Sequence, residues 1–394
     1  MAATARLPAA IWALGFVSLL MDVSSEMIHS LLPVFLVNSL GASMLAVGLI
    51  EGAAEATALI VKVFSGVISD WIGKRKPLAV LGYGLGAASK PLFALATTIG
   101  TVLSARLIDR VGKGLRGAPR DALVADLVAP EQRGAAYGLR QSLDTVGAFL
   151  GPLLAIALML LWADDYHAIF RVAVIPAVLS VLLLWVGVRE PDRPPAAVRV
   201  NPLRREQLRQ LPAHFWRVVA IGALFTLARF SEAFLVLRAQ QGGLPVAWAP
   251  LVLIAMNVVY SAGAYPFGKL ADRMSHRKLL AGGLVVLIAA DAALAAADHG
   301  VLLWVGIALW GVHMALTQGL LATMVAGSAP ASLRGTAFGV FNLASGIVLL
   351  VASGLAGWLW DRLGGASTFV AGAAISAVAL AVLAVGRPVA VNGR

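Results

Sequence analysis

Long apolar segments separated by short polar connections fill nearly the whole chain of 394 residues. Each segment holds roughly 20 or more mostly apolar residues, the length that an α-helix needs to cross a bilayer. The pattern predicts helices at 9–37, 43–69, 78–98, 101–126, 134–162, 167–188, 214–239, 246–271, 279–297, 301–327, 335–361 and 367–387. We therefore expect an all-α membrane protein with about twelve transmembrane helices and no separate soluble domain.

Several short motifs occur twice along the chain, in the same order. The matched pairs are 66–76 with 268–278, 129–138 with 329–339, and Ser25-Glu26 with Ser231-Glu232. This order predicts an internal duplication, which is common in secondary transporters. We place one six-helix half at residues 1–189 and the other at 214–394. A proline-rich, basic segment at 190–213 is typical of a linker between them.

Composition supports a protein that lies in lipid, because 60% of the residues are hydrophobic and only 13% are charged. The net charge is +11, and Lys and Arg are concentrated in alternate connections, whereas the intervening connections carry neither. This is the positive-inside pattern, which predicts a cytoplasmic (inner) membrane protein with both termini in the cytoplasm and argues against nucleic-acid binding. The chain has no cysteine, which excludes disulfides and thiolate metal sites.

Three motifs give the chain a resemblance to the major facilitator superfamily over nearly its whole length. Residues 66–76 resemble the family's loop signature between helices 2 and 3, residues 106–114 its helix 4 motif, and residues 147–152 a helix 5 motif of proton-coupled exporters. The resemblance implies the major facilitator fold, two six-helix pseudo-symmetric bundles that work by alternating access, usually as a monomer. Asp109, Arg110 and Lys113 depart from the drug exporters of the family, and residues 153–156 lack their usual glycine pair.

Charged side chains within membrane helices are costly and usually mark function. Asp22, Glu26 and His29 are spaced by four and three residues, so they share one face of the first helix. The resemblance implies that helices 1, 4, 7 and 10 line a central cavity. Its candidate proton-coupling and substrate residues are Asp22, Glu26, His29, Arg106, Arg110, Arg229, Glu232 and His313. The alternative is that the acids only neutralise the arginines in structural ion pairs.

Other intramembrane charges predict a buried network beside this cavity. Its members are Glu51, Glu55, Lys62, Asp109, Lys113, Arg140 and Asp144. Within it we expect the acids Glu51, Glu55 and Asp144 to pair with basic residues of helices 4 and 5. Lys90, in the third predicted helix, has no evident partner in the sequence. Arg106 and Arg110 can hold a carboxylate or phosphate in bidentate fashion, which would suit an anionic substrate.

A metal site is a further hypothesis for the first helix. Asp22, Glu26 and His29 offer one nitrogen and two oxygen ligands, a set that suits a borderline divalent ion. The metal would be transported substrate, because we expect no cofactor. The alternative is that His29, near a helix end, is a hydrogen-bonding or interfacial residue.

The repeated loops predict a cytoplasmic gate. In the resembled family, the Asp of this motif joins nearby Arg residues in a latch between the two halves. The candidate gate residues are Gly66, Asp70, Gly73, Arg75, Arg133, Asp272, Arg277 and Arg334. A solvated turn would use similar residues. In the fifth predicted helix, Gly147, Gly151 and Pro152 predict close helix packing and a kink.

Nothing in the sequence resembles an enzyme, since phosphate-binding loops, nucleophile elbows and metalloprotease helices are missing from it. We therefore expect a proton-coupled secondary transporter of a small solute, driven by the proton gradient and tilted toward export by the motif at 147–152. Three alternatives remain open: a divalent metal-ion exporter, a proton symporter of an anionic metabolite, and a receptor or lipid scrambler without transport activity.

Overall fold

A computed structural model describes residues 7–72, 74–191, 208–271, 274–297, 300–330 and 333–385. Most of the predicted linker and both chain ends lie outside these residues. The α-helices are α1 (Ala9–His29), α2 (Leu32–Asn38), α3 (Met44–Ile72), α4 (Lys76–Ala94), α5 (Ile99–Asp126), α6 (Arg133–Leu161), α7 (Tyr166–Gly187), α8 (Ala213–Ala228), α9 (Ala233–Gln241), α10 (Pro250–Ala271), α11 (His276–Ala296), α12 (Val301–Ser328), α13 (Arg334–Leu363) and α14 (Gly365–Val385). The described residues contain no β-strand, which confirms the predicted all-α class.

Ten helical segments of the described chain are long and apolar enough to cross a membrane. Two of them combine neighbouring helices, α1 with α2 and α8 with α9. The predicted spans at 78–98 and 101–126 form as α4 and α5 but are not among the ten. The physical reason is their polarity, because α5 carries a row of charged side chains and α4 contains two lysines.

Two helices predicted to be continuous are interrupted. α1 ends at His29 and α2 begins at Leu32, because the ring of Pro33 has no N–H and would clash with the carbonyl of His29. The interruption between α8 and α9 spans Arg229 to Glu232 and contains neither glycine nor proline. The prediction of unbroken helices over 9–37 and 214–239 was therefore wrong.

The chain clusters into two compact units. The first comprises Met1–Phe35 and Thr57–Val200, and the second comprises Leu36–Ala56 and Asn201–Arg394. α3 is thus divided, with its first part in the second unit. Each unit has an apolar core, with Leu14 and Tyr83 buried in the first and Phe215 and Leu284 in the second.

Helix packing inside the two units follows the same scheme. In the first unit α1 packs on α6 and α7, and α4 packs on α5 and α7. In the second unit α8 packs on α13 and α14, and α11 packs on α12 and α14. Since these pairs occupy equivalent places in the two predicted halves, the packing agrees with an internal duplication.

Glycines bring the first part of α3 against α13 within the second unit. A Cβ on Gly52 would lie 2.8 Å from the Cα of Leu350, and a Cβ on Gly357 would collide with the carbonyl oxygen of Met44. At the end of this contact the Asp361 carboxylate accepts hydrogen bonds of 2.9 Å from the backbone N–H groups of Met44 and Leu45. Asp361 therefore satisfies two free donors at the N-terminus of α3.

Candidate functional site

α1 presents one polar stripe in its C-terminal half. Among residues 21–36, only Asp22, Glu26 and His29 are half-buried, and all the others are buried. The structure therefore places the three predicted residues on one face, as their spacing requires. Because the rest of this segment is packed, the stripe is its only route to solvent or substrate.

His29 lies between two carboxylates. Its Nδ1 is 3.6 Å from Oε1 of Glu26, and its Nε2 is 3.4 Å from Oδ2 of Asp109 on α5. The Nη2 of Arg110 also lies 3.2 Å from Nδ1. An arginine can only donate, so in this contact Nδ1 accepts, and the ring proton belongs on Nε2 facing Asp109.

Lys90 completes this cluster from α4. Its Nζ donates to Oδ1 of Asp109 over 2.8 Å and to Oγ of Ser25 over 3.0 Å. The side chains of Lys90 and Asp109 are 0% and 2% exposed. The view of Lys90 as a residue without a partner was therefore wrong, since it forms a buried ion pair with a member of the predicted network.

Arg106 and Arg110 lie one turn apart on α5, and both are buried. Burial is possible because glycines keep α5 close to its neighbours. A Cβ on Gly112 would lie 2.9 Å from the backbone nitrogen of Gly86 on α4, and one on Gly114 would lie 2.9 Å from the carbonyl oxygen of Ala58 on α3. The arginines therefore line the His29 cluster from a closely packed helix.

A second ionic cluster joins α5 to α6. Asp144 lies 3.6 Å from Arg140 and 3.9 Å from Arg120, and Asp121 lies 3.1 Å from Arg120 and 3.8 Å from Arg140. Asp22 of α1 lies beside the next turn of α6, since a Cβ on Gly147 would be 3.1 Å from its Cβ. The expected pairing of Asp144 with Arg140 is thus present, and Arg120 and Asp121 extend it.

The glycines predicted for close packing set α6 directly on the acidic stripe of α1. A Cβ on Gly147 would lie 2.5 Å from the carbonyl oxygen of Leu19 and 3.1 Å from Cβ of Asp22. A Cβ on Gly151 would lie 2.8 Å from Cβ of Glu26. Pro152 is buried beside them. The motif therefore fixes the backbone position of both candidate proton-binding acids.

Four members of the predicted buried network do not behave as one group. Glu51 is buried and Glu55 is half-buried, and both belong to the second unit. Lys62 and Lys113 are exposed, so their prediction as buried residues was wrong. Gly112 and Gly114, which flank Lys113, pack on α4 and α3, and the charge of Lys113 acts on Asp22 and Glu26 of α1.

The candidate residues of the second unit lie in two places. Arg229 and Glu232 are half-buried in the interruption between α8 and α9, where unwound backbone is typical of transporter sites. His313 is 2% exposed on α12, and its Nδ1 lies 2.8 Å from the carbonyl oxygen of Gly283. This bond fixes His313 between α11 and α12.

Arg238 on α9 has a structural task. Its guanidinium donates to the carbonyl oxygens of Leu294 over 2.9 Å, Ala295 over 3.2 Å and Ala297 over 2.7 Å. These carbonyls end α11 and have no intrahelical donor. Arg238 therefore caps α11.

The predicted gate is described only in part. Gly73, Asp272 and the side chain of Asp70 lie outside the described part of the structure. Arg75 forms a 3.0 Å salt bridge with Asp126, and Arg133 donates to the carbonyl oxygen of Ala125 over 3.3 Å. Gly66 packs on α5, Arg277 donates to the carbonyl oxygen of Ala384, and Arg334 is exposed at the start of α13.

Glu190 has a role in this region that the sequence did not indicate. Its carboxylate accepts hydrogen bonds from the backbone N–H groups of Arg75 and Lys76, and Nζ of Lys76 donates to the carbonyl oxygen of Trp185 over 2.7 Å. Glu190 therefore caps the N-terminus of α4 from the end of α7.

The metal hypothesis for α1 gains no support. Among the described residues, no group of three His, Cys, Asp or Glu side chains is placed to hold a metal ion. Glu26 and His29 face each other, but Asp22 lies beside Gly147 of α6 instead. The three side chains thus share a face without converging on one point.

Comparison with known proteins agrees with this architecture. A sequence profile of the Major Facilitator Superfamily matches residues 14–351 and 240–394. An uncharacterised MFS-type transporter of Methanocaldococcus jannaschii is 32% identical over 377 residues, which cover 93% of this chain and 92% of that protein. The multidrug resistance protein MdtH of Yersinia pestis is 25% identical over 354 residues, covering 88% and 85% of the two chains.

A solved structure extends the likeness to the fold. The crystal structure of the nucleoside transporter NupG superposes with a TM-score of 0.77 at 14% identity and covers 95% of this chain and 98% of its own. At that identity the likeness concerns the fold alone. The fold class expected from the sequence, two six-helix bundles of an all-α membrane protein, is confirmed.

Proposed function

Because the chain belongs to the major facilitator superfamily, we propose that it is a proton-coupled secondary transporter that exports a small solute by alternating access. In this proposal a proton enters the cell as the solute leaves, and the protein acts as a monomer in the cytoplasmic membrane with both termini inside. Export requires no cofactor, since the proton gradient supplies the energy.

One observation carries the proton coupling, the position of His29 between Glu26 and Asp109. The Glu26 side chain is 29% exposed, whereas that of Asp109 is 2% exposed and bound to Lys90. The imidazole thus joins an acid that water can reach to an acid that is sealed in the helix packing. Histidine is the side chain best suited to pass a proton between such groups near neutral pH.

The contacts of Nδ1 provide a switch with two positions. When His29 is neutral, Nδ1 accepts from Arg110, as in the structure. When His29 gains a proton, Nδ1 becomes a donor, and Arg110 can no longer bind to it. Nδ1 then donates to Glu26, and Arg110 shifts away from His29 toward its other contacts, which include Asp109 at 4.0 Å. Proton binding at α1 is thereby linked to the position of an α5 arginine.

Asp22 and Asp144 support the same proposal. Two carboxyl groups held close together disfavour the state in which both are ionised. The Gly147 packing of α6 on α1 keeps Asp22 close to the turn of α6 that follows Asp144. Since α6 also carries Gly151 against Glu26, a movement of α6 relative to α1 changes both acids together.

Export is favoured by two observations. The helix carrying Gly147, Gly151 and Pro152 resembles the helix 5 motif of proton-coupled exporters, and MdtH, a relative, is named for multidrug resistance. The alternative is a proton symporter of an anionic metabolite, and the flux experiment described below distinguishes it from an exporter. Arg106→Ala would then abolish solute binding in a folded protein.

Reconstituted, purified protein tests the proposal. A thermal-shift screen against drugs, divalent metals, siderophores, sugars and organic anions first identifies a ligand, because a bound ligand raises the unfolding temperature by mass action. Flux of that ligand is then followed in proteoliposomes with the cytoplasmic face outward. We expect accumulation when the interior is acidic and its loss with a protonophore. Flux that does not depend on the pH gradient would contradict proton coupling. Accumulation that occurs only with an alkaline interior would indicate symport.

A further inference from the structure

Asp291 is a charged residue within the apolar part of α11. The residue is 0% exposed, and neither carboxyl oxygen has a hydrogen-bond partner among the described residues. A buried polar group without a partner is rare in folded proteins and calls for an explanation. Unlike Arg238, which caps α11, Asp291 has no structural task in the described part of the chain.

The surroundings of Asp291 are shaped to admit its carboxyl group. A Cβ on Gly372 of α14 would lie 2.6 Å from Oδ2 of Asp291 and 3.1 Å from Cε1 of Phe230. Glycine at 372 therefore leaves the space that the carboxyl group fills. Phe230, in the interruption between α8 and α9, borders the same space beside Gly372.

Charged groups on the neighbouring elements are engaged elsewhere. On α12, His313 binds the carbonyl oxygen of Gly283, and on α9, Arg238 binds the end of α11. The described residues of α14 include no titratable side chain. Arg229 and Glu232 flank Phe230 in the interruption, and neither forms an ion pair with Asp291 among the described contacts.

An ionised carboxylate in such surroundings would cost several kcal/mol, because burial removes its hydration and supplies no compensating charge. Two further buried polar atoms without partners lie on the adjoining helices, Nε1 of Trp310 and Oγ of Ser376. The Trp310 ring lies 5.3 Å from that of Phe230, and Ser376 follows Gly372 by one helical turn. Buried polar atoms without a described partner thus lie on α11, α12 and α14 near Phe230.

We propose that Asp291 is a proton-binding site of the second unit, closed by Phe230. In the conformation described here the carboxyl group holds its proton as a neutral acid. When Phe230 moves out of the interruption, water reaches the group, the O–H bond breaks and the proton passes to water; the reverse step reloads it. The site is separate from the His29 cluster, and its occupancy does not depend on the function proposed above.

Infrared spectroscopy of the purified protein in lipid tests this site without substrate or gradient. We expect a carbonyl stretch of a protonated carboxyl group at neutral pH, one component of which is missing from the spectrum of Asp291→Asn. The matched control is Asp165→Asn, which removes an exposed, ion-paired acid and should keep the band. Asp291→Asn should also unfold at the same or a higher temperature, because it replaces a neutral group by a neutral group of the same shape.

Phe230→Ala tests the closing element. In D2O the band of the wild-type protein should shift slowly as the acid proton exchanges, and Phe230→Ala should make this shift several-fold faster. An unchanged band in Asp291→Asn, or failure of that variant to fold, would overturn the proposal, since either result means that the carboxyl group is ionised or has a partner. Equal exchange rates in Phe230→Ala and wild type would overturn the closure. A negative transport assay leaves these outcomes unaffected.

Discussion

Lys90 and Asp109 form a salt bridge of 2.8 Å between α4 and α5, and both side chains are almost completely removed from solvent. Removing one partner of a buried ion pair leaves an uncompensated charge, which costs about 3–5 kcal/mol. We therefore expect Lys90→Met and Asp109→Leu each to lower the thermal unfolding midpoint strongly.

The double variant Lys90→Met with Asp109→Leu distinguishes pairing from packing. Replacing a whole buried pair by apolar residues is often neutral or stabilising. The double variant should therefore recover most of the lost stability while His29 loses its Asp109 contact. A double variant as unstable as the sum of the two single variants would contradict this account of the pair.

Gly147 and Gly151 should tolerate no side chain. Alanine at either position meets backbone or Cβ atoms of α1 at 3.1 Å or less, and overpacking of this kind costs about 1–3 kcal/mol. Gly138→Ala is the control in the same helix, because nothing lies within 4 Å of its added Cβ. The Gly138→Ala variant should be more stable than the wild type by about 0.5–1 kcal/mol, because glycine in a helix interior is less favourable than alanine. Similar midpoints for all three variants in a thermal unfolding assay would disprove the close approach of α6.

The contact of α3 with α13 provides a parallel case in the second unit. Gly357→Ala drives a methyl group into the carbonyl of Met44, whereas Gly335→Ala, also in α13, meets nothing within 4 Å. We expect the first variant to lose about 1–3 kcal/mol and the second to lose nothing. Hydrogen exchange at the N-terminus of α3, where Asp361 binds the N–H groups of Met44 and Leu45, measures whether the helices still meet, and it should increase only in Gly357→Ala. Equal exchange in both variants would argue against a glycine-dependent contact.

Arg238 should matter for stability. Its variant Arg238→Met leaves the carbonyls of Leu294 and Ala297 without donors, and hydrogen bonds from charged groups contribute about 1.5–3 kcal/mol each. Arg217→Met, at an exposed position of α8, should stay within about 0.5 kcal/mol of the wild type. Hydrogen exchange at the end of α11 should increase only in Arg238→Met; an unchanged rate there would mean that the cap is dispensable.

The sequence predicts the helices well because membrane spans depend on apolar length, which is a local property. It also predicts that Asp22, Glu26 and His29 share a face, since helical spacing alone determines this. The interruption before Pro33 was missed although its cause is local. The interruption at Arg229 to Glu232 has no proline or glycine, so its sequence gives no signal.

Partners across helices were much harder to predict. Lys90 and Asp109 lie on consecutive helices, and only the packing of α4 on α5 determines that they meet. The exposure of Lys62 and Lys113 likewise depends on helix packing. In each helix the glycines determine which side contacts a neighbouring helix. The contacts of Gly147 and Gly151 with α1 belong to the same class, because the motif predicts close packing but not the helix that it meets.

The central claim is that a proton taken up at Glu26 and His29 drives solute movement, and one variant tests it most directly. Glu26→Gln keeps the shape of the side chain but cannot exchange a proton. In proteoliposomes with the ligand found by thermal shift, we expect this variant to retain solute counterflow without a pH gradient and to lose accumulation driven by the gradient. Accumulation by Glu26→Gln at the wild-type level would contradict the account.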